Sequence, residues 1–119
     1  MSKPAVSLHP YFKVHSGKLD AARALLPKFI ERTSSESGCL YYQFTVDGDM
    51  VFCREAYIDA EATLAHLNNV GDILAEMLTI SDLARVEVHG PEDELAKMRG
   101  PLEKLNANWF VFADGLARS

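Results

Sequence analysis

"CLYYQFTVDGDMVFCREAYI", residues 39–58, reads as two strands around a tight turn, and the fold follows from it. Leu40, Tyr42, Phe44 and Val46 alternate with Cys39, Tyr41, Gln43 and Thr45, the period of two that a half-buried strand requires. The turn "DGD" (47–49) supplies the Asp-Gly pair that tight hairpins need for positive φ.

Both flanks of this hairpin are helical. Upstream, "KLDAARALLPKFIERTSSES" (18–37) carries Leu19, Ala22, Leu25, Leu26, Phe29, Ile30 and Thr33 on one stripe, with Asp20, Lys28 and Glu31 opposite. Pro27 falls in the middle and is expected to kink the helix on its solvent side, with Gly38 as its C-terminal stop. Downstream, Asp59 is a helix cap with Glu61 in the first turn; "NNVGD" (68–72) interrupts that helix. A second segment follows, with a stripe of Val70, Ile73, Leu74, Met77 and Leu78.

The outermost segments complete the pattern. "PAVSLHPYFKV" (4–14) puts Val6, Leu8, Pro10, Phe12 and Val14 on one face; Pro10 lacks a donor and suggests an edge strand or a bulge. "DLARVEVHG" (82–90) is the fourth strand, Pro91-Glu-Asp-Glu starts a helix broken near Gly100–Pro101, and "ANWFVFAD" (107–114) is a last strand. The order β-α-β-β-α-β, then a short helix and a strand, is the α+β, ferredoxin-like split βαβ arrangement: a four-stranded antiparallel sheet with a C-terminal helix and an extra strand. One domain spans residues 1–119. Two helices cover one face of such a sheet; the other carries Tyr, Phe and Val side chains and asks for a second copy, so a homodimer is expected. The terminal strand, with Trp109, Phe110 and Phe112, is a natural element to seal it.

Composition narrows the function. A net charge of −5 without a basic run excludes nucleic acid and anionic membrane surfaces as partners. No apolar stretch approaches a signal peptide or a spanning helix, so the cytoplasm is expected. Cys39 and Cys53 show neither CxxC spacing nor a nearby His pair; they read as reduced thiols, and no metal site is expected.

Two stretches resemble a known family. "ESGCLYYQF" (36–44) is similar to a Glu-x-Gly-x-x-x-Tyr/Phe pattern, and "REAYIDAEATLAH" (54–66) to a Glu-x-Trp/Tyr-x-Asp/Ser-x-x-Ala-x-x-x-His pattern. Both are marks of the antibiotic biosynthesis monooxygenase-like group in the dimeric α/β-barrel superfamily, and the resemblance spans roughly residues 5 to 90. It implies a dimer whose pocket lies between sheet and helices, acting as a monooxygenase on a quinol, anthrone or similar electron-rich aromatic small molecule without metal or flavin. The haem-degrading branch places an iron-ligating histidine on the later part of the second helical region; "VGDILAEMLTI" (70–80) has none, so haem is not expected and no cofactor is assigned.

Such chemistry needs a base of near-neutral pKa, donors for an oxyanion and a dry aromatic pocket. His66, Glu55 and Tyr57 are the candidate catalytic residues, and Tyr42, Tyr41, His9 and Arg54 the candidate substrate-binding residues. Tyr41 and Tyr42 point to opposite faces of a strand, so at most one lines a given pocket. On the helical wheel Ala60, Leu64 and Leu67 cluster, and His66 falls roughly 120° away, at the rim of the core. Two other readings stay open: an isomerase or lyase of a small carbonyl metabolite, and a non-catalytic binding protein for a hydrophobic metabolite.

Overall fold

The computed structural model describes residues 3–118. Its elements are β1 (Val6–Val14), α1 (Leu19–Thr33), β2 (Cys39–Asp47), β3 (Met50–Tyr57), α2 (Ala60–Asn69), α3 (Gly71–Met77), β4 (Ser81–Gly90), α4 (Glu92–Arg99), a 3-10 turn (Glu103–Leu105) and β5 (Asn108–Val111). The strands form one sheet in the order β2-β3-β1-β4-β5. The first four run antiparallel, which is the ferredoxin-like arrangement, and β5 adds to β4 in parallel. No helix among the described residues is long and apolar enough to cross a membrane.

The hairpin forms as its turn chemistry dictates. Asp47 pairs with Met50, leaving Gly48 and Asp49 as the loop, and Gly48 sits at φ +60°. Positive φ at the first loop position is what glycine tolerates without strain. An irregularity between Cys39 and Tyr41 changes the start of β2. It brings Cys39 opposite Tyr57 on the helix side and leaves Leu40 exposed, against the simple alternation.

Pro10 departs from expectation too. β1 is a central strand, not an edge. The β1–β3 ladder pairs Leu8 with Glu55 and resumes at Tyr11 with Phe52, passing over His9 and Pro10, where proline has no N–H to give. The expected bulge appears beside it, as a register shift against β4 between Tyr11 and Phe12.

Two apolar clusters fill the helix side of the sheet. One gathers Phe12, Val14, Leu25, Phe29, Val51, Ile73 and Met77 under α1 and α3. The other gathers Val6, Leu8, Ala60, Val86, Val88, Leu95 and Met98 under α2 and α4, with Trp109 of β5 against its edge. The Arg99 guanidinium lies 5.4 Å from the Trp109 ring centre, tying α4 to β5. Helix α1 runs through Pro27, which is exposed, and stops at Thr33 rather than near residue 37.

Helix α2 is pinned at its first turn from two sides. Asp59 Oδ1 accepts from the Ala62 amide at 2.8 Å, and the buried Glu94 accepts from the Ala60 amide at 2.8 Å. Lys3 and Lys97 reach the other Glu94 oxygen at 2.6 and 3.2 Å. The Lys3 bond, and after it the amide, hold the Glu94 carboxyl down at about 2.

Gly38 is not a helix stop. A Cβ built on it would lie 2.6 Å from the Ala62 Cβ, so its missing side chain is what lets α2 settle against the entry to β2. Gly38→Ala is expected to lower unfolding stability by about 1–3 kcal/mol in urea titration, and Ala62→Gly in the same chain to recover part of the loss. An additive double variant would show that the two positions do not touch.

Candidate active site

The alternation of β3 puts Cys53, Glu55 and Tyr57 on the helix side, where all three are buried. Across the sheet Glu55 lies opposite Leu8 on one side and Tyr42 on the other. Its carboxyl accepts from the Tyr57 hydroxyl at 2.6 Å. His66 closes over the same oxygen: its Nε2 lies 3.3 Å from Glu55 Oε1, in contact but not aligned as a hydrogen bond.

The other ring nitrogen of His66 is committed. Nδ1–H donates to both Glu36 oxygens at 3.0 Å, and Asn69 Nδ2 donates to Glu36 Oε2 at 2.7 Å. Asn69 is held in turn by the Arg32 carbonyl at 3.0 Å, and Arg32 by Asp72 at 2.8 Å. A carboxylate that only accepts fixes the proton on Nδ1 and leaves Nε2 to exchange a proton with Glu55. The result is a continuous line, Glu36–His66–Glu55–Tyr57, running from near the surface into the interior.

His66 is 1 % exposed, so it stands in the core and not at its rim. The buried arc of α2 passes through Ala60, Thr63, His66 and Val70, whereas Leu64 and Leu67 are only half-buried. Ranking positions by hydrophobicity mis-centres the stripe, because two polar residues occupy its middle. Thr63 satisfies its hydroxyl on the Asp59 carbonyl at 2.9 Å, and His66 spends its nitrogens on carboxyls.

Burial sets the electrostatics. Among the described residues no lysine or arginine pairs with Glu55, and desolvation pushes its carboxyl up to about 7 despite the bond from Tyr57. Desolvation likewise lowers the His66 imidazole, opposed by Glu36. The phenols of Tyr42 and Tyr57 and the thiol of Cys53 are driven upward, also by burial first, and stay protonated. Burial thus moves the two groups in opposite directions, Glu55 up and His66 down, each toward its neutral form.

The pair faces a narrow cavity of about 60 Å³ where the two apolar clusters meet. Leu8, Phe12, Phe29, Phe44, Val86 and Leu105 are among its walls, and Glu55, His66 and Tyr42 supply its polar groups. Tyr42 packs at 5.0 Å from the His66 ring and 5.2 Å from Phe44. The remaining candidates lie elsewhere. Tyr41, His9 and Arg54 occupy the opposite face of the sheet, with Arg54 and Tyr41 exposed and His9 held by Ser7 at 2.8 Å. Glu36 is the member that residue-by-residue reasoning passed over: its only signal was the Glu-x-Gly pattern, since nothing local shows that a loop glutamate meets a helix histidine.

A family model described as antibiotic biosynthesis monooxygenase matches residues 5–71. The chain belongs to the antibiotic biosynthesis monooxygenase family. Among solved structures this family member is similar to MupZ from Pseudomonas fluorescens, with 39% identity over 96% of this chain and 94% of that one and a TM-score of 0.91. It is also similar to a protein described as a putative antibiotic biosynthesis monooxygenase from Chloroflexus aurantiacus J-10-fl (26% identity, 73% and 92% covered, TM-score 0.61). A third is Rv0793 from Mycobacterium tuberculosis (28%, 76% and 97%, TM-score 0.63). No curated protein matches. The family model ends just beyond α2, so it takes in Glu36, Glu55, Tyr57 and His66 while leaving out β4, α4 and β5.

The raised Glu55 makes a signed stability prediction. A carboxyl that titrates near 7 folded and near 4.5 unfolded stabilises the fold below pH 4.5, and that stability is lost as pH rises to 7. The loss is on the order of 3 kcal/mol. Glu55→Gln carries no such proton, so urea titrations from pH 5 to 8 are expected to show the variant gaining steadily on the parent. A pH-independent difference would mean that Glu55 titrates normally.

Proposed function

We propose that this protein is an enzyme that moves a proton on a small, apolar, oxygen-bearing molecule held in the inner cavity. Glu55 exchanges the proton with the substrate, His66 carries it to and from Glu55, and Glu36 and Tyr57 hold the two in place. One observation carries this: a fully buried carboxyl, titrating at about 7, stands 3.3 Å from an imidazole in the wall of an apolar cavity. A group whose pKa matches the working pH serves as both base and acid.

Family membership supports cofactor-independent monooxygenation of a quinol, anthrone or similar electron-rich aromatic as the overall reaction. Glu55 takes the hydroxyl proton, the aryloxide passes one electron to oxygen, and the two radicals combine at carbon. Loss of water from the resulting peroxide leaves the quinone. The aromatic walls from Phe12, Phe29 and Phe44 suit a flat substrate. A second reading is favoured by the raised Glu55 carboxyl standing beside a neutral imidazole. An isomerase or lyase acting on a small carbonyl metabolite withdraws and returns one proton in each turnover and needs no oxidant.

We also infer that the active form is a homodimer joined through the open face of the sheet. Tyr11, Tyr41, Phe52 and Phe110 lie on that face, with Tyr11 and Phe52 packed at 4.7 Å and His89 stacked on Phe110 at 4.5 Å. Polar His9, Gln43, Arg54 and Glu87 interleave with these rings, so this face is aromatic and polar rather than the Tyr, Phe and Val surface expected from patterning. Equilibrium sedimentation is expected to give twice the chain mass of 13.2 kDa, and Phe52→Lys to give a monomer.

Oxygen uptake with menadiol or anthrone, and solvent-deuterium incorporation into small ketones under nitrogen, separate the two reactions. Either activity is expected to fall at least about 100-fold in Glu55→Gln. Oxygen consumption supports the first reading, and exchange without oxygen the second. Neither activity above background would leave a binding protein for a hydrophobic metabolite and sink the enzymatic proposal.

A further inference from the structure

The open face of the sheet carries a row of polar side chains across its middle. Gln43 pairs with Arg54, His9 with Glu87, and Glu87 with Asn108. The β1–β3 register is the same on both sides of its gap, which sets His9 beside Arg54. The row therefore takes one residue from each of the five strands. His9 is its centre, on the middle strand and near the middle of that strand's length.

Opposite charges flank that centre. Arg54 is one strand to one side of His9, and Glu87 is one strand to the other. Within the chain Glu87 accepts from Arg85 Nε at 2.6 Å and stands 3.0 Å from His89 Nε2. Arg54 is exposed and forms no ion pair among the described residues. Burial, and after it the neighbouring His89, pushes the His9 imidazole down, so it is neutral near pH 7. Two copies of His9 can meet without repulsion.

Two identical faces meet about a two-fold axis, and they overlap most when that axis passes through the centre of the face. An axis running across the strands would lay each Arg54 over its own copy and each Glu87 over its own, like charge on like. An axis running along β1 exchanges the two sides. Arg54 then lies over Glu87 of the second copy, and the reverse pair forms by symmetry. The adjoining rows match in the same way: Tyr41 comes over Phe110, and Arg85 over the Phe52 ring. At usual strand spacing and rise the face measures roughly 600 Å², and two copies bury about 1,200 Å², the size of a specific interface.

We propose that two copies pack face to face with the two-fold axis along β1, and that reciprocal Arg54–Glu87 pairs select this orientation. The proposal rests on the homodimer inferred above and adds its geometry and the residues that choose it. The rings supply area; the charges exclude the other way round, because like charges brought together cost far more than a matched pair contributes.

Charge reversal tests the orientation. Arg54→Glu puts two acids together at both contacts, and Glu87→Arg two bases. Each variant alone is expected to weaken self-association at least about 100-fold in equilibrium sedimentation. Mixed in equal amounts the two variants are matched at both contacts. The mixture is expected to dimerise within about tenfold of the parent, with the mixed species seen by native mass spectrometry. The double variant Arg54→Glu/Glu87→Arg is matched with itself and is expected to recover the dimer, which separates lost pairing from lost folding. Single variants that dimerise like the parent, a mixture that stays monomeric or a double variant that does not recover would each overturn the orientation and leave the homodimer standing. A monomeric parent would overturn both.

Discussion

The helix side of the sheet depends on a side chain that is missing. With hydrogen alone at Gly38, α2 comes down onto the chain as it enters β2, and Ala62 fills the space a Cβ would have taken. His66 is one turn further along the same helix face, and Glu36 is two residues before the glycine. The close approach at one end of α2 therefore sets the histidine–glutamate contact at the next turn. Asp59 and Glu94 hold the first turn of the helix at two amides, which keeps this register from sliding. The positioning is done by backbone packing and caps; the site inherits it.

Two buried glutamates show how the same residue type is turned to opposite ends. Glu94 meets two lysines and a helix amide, and its carboxyl is held at about 2 as a permanent anion. Glu55 meets a phenol, an imidazole and apolar walls, and its carboxyl rises to about 7. The first is a structural anchor whose charge is repaid locally. The second carries a desolvation penalty that the Tyr57 hydroxyl offsets only in part, and that penalty is what raises its carboxyl. Replacing the partners of either glutamate with those of the other would exchange their roles.

Most of the fold is legible in the chain because it rests on local rules. The alternation of β1 and β3, the Asp-Gly turn, the Asp59 cap and the proline start of α4 each belong to a short window. Failures come where a distant element decides. Pro10 looks like an edge residue until β3 and β4 are both placed beside it. Leu40 looks buried until the bulge at the start of β2 is known. His66 looks marginal because a helical wheel weighs hydrophobicity and cannot see that carboxyls from two other elements make a polar position inside the core. Glu55 and Tyr57 read correctly as neighbours on one strand face, but their link to Glu36 runs through His66, 30 residues from Glu36 in the chain, and is visible only in three dimensions.

The central place of β1 has a kinetic side. Its two partners, β3 and β4, are both far from it in sequence, so the middle of the sheet cannot close until distant segments meet. Only the β2–β3 hairpin can assemble early from near neighbours, and it forms one flank of the sheet. Loop-closure entropy must be met before β1 is clasped on both sides, which makes this a slow-folding topology for its size. Substitutions in the β1–β4 pairing should then act mostly on the folding limb of a chevron, and those in β5, added last at an outer strand, on the unfolding limb.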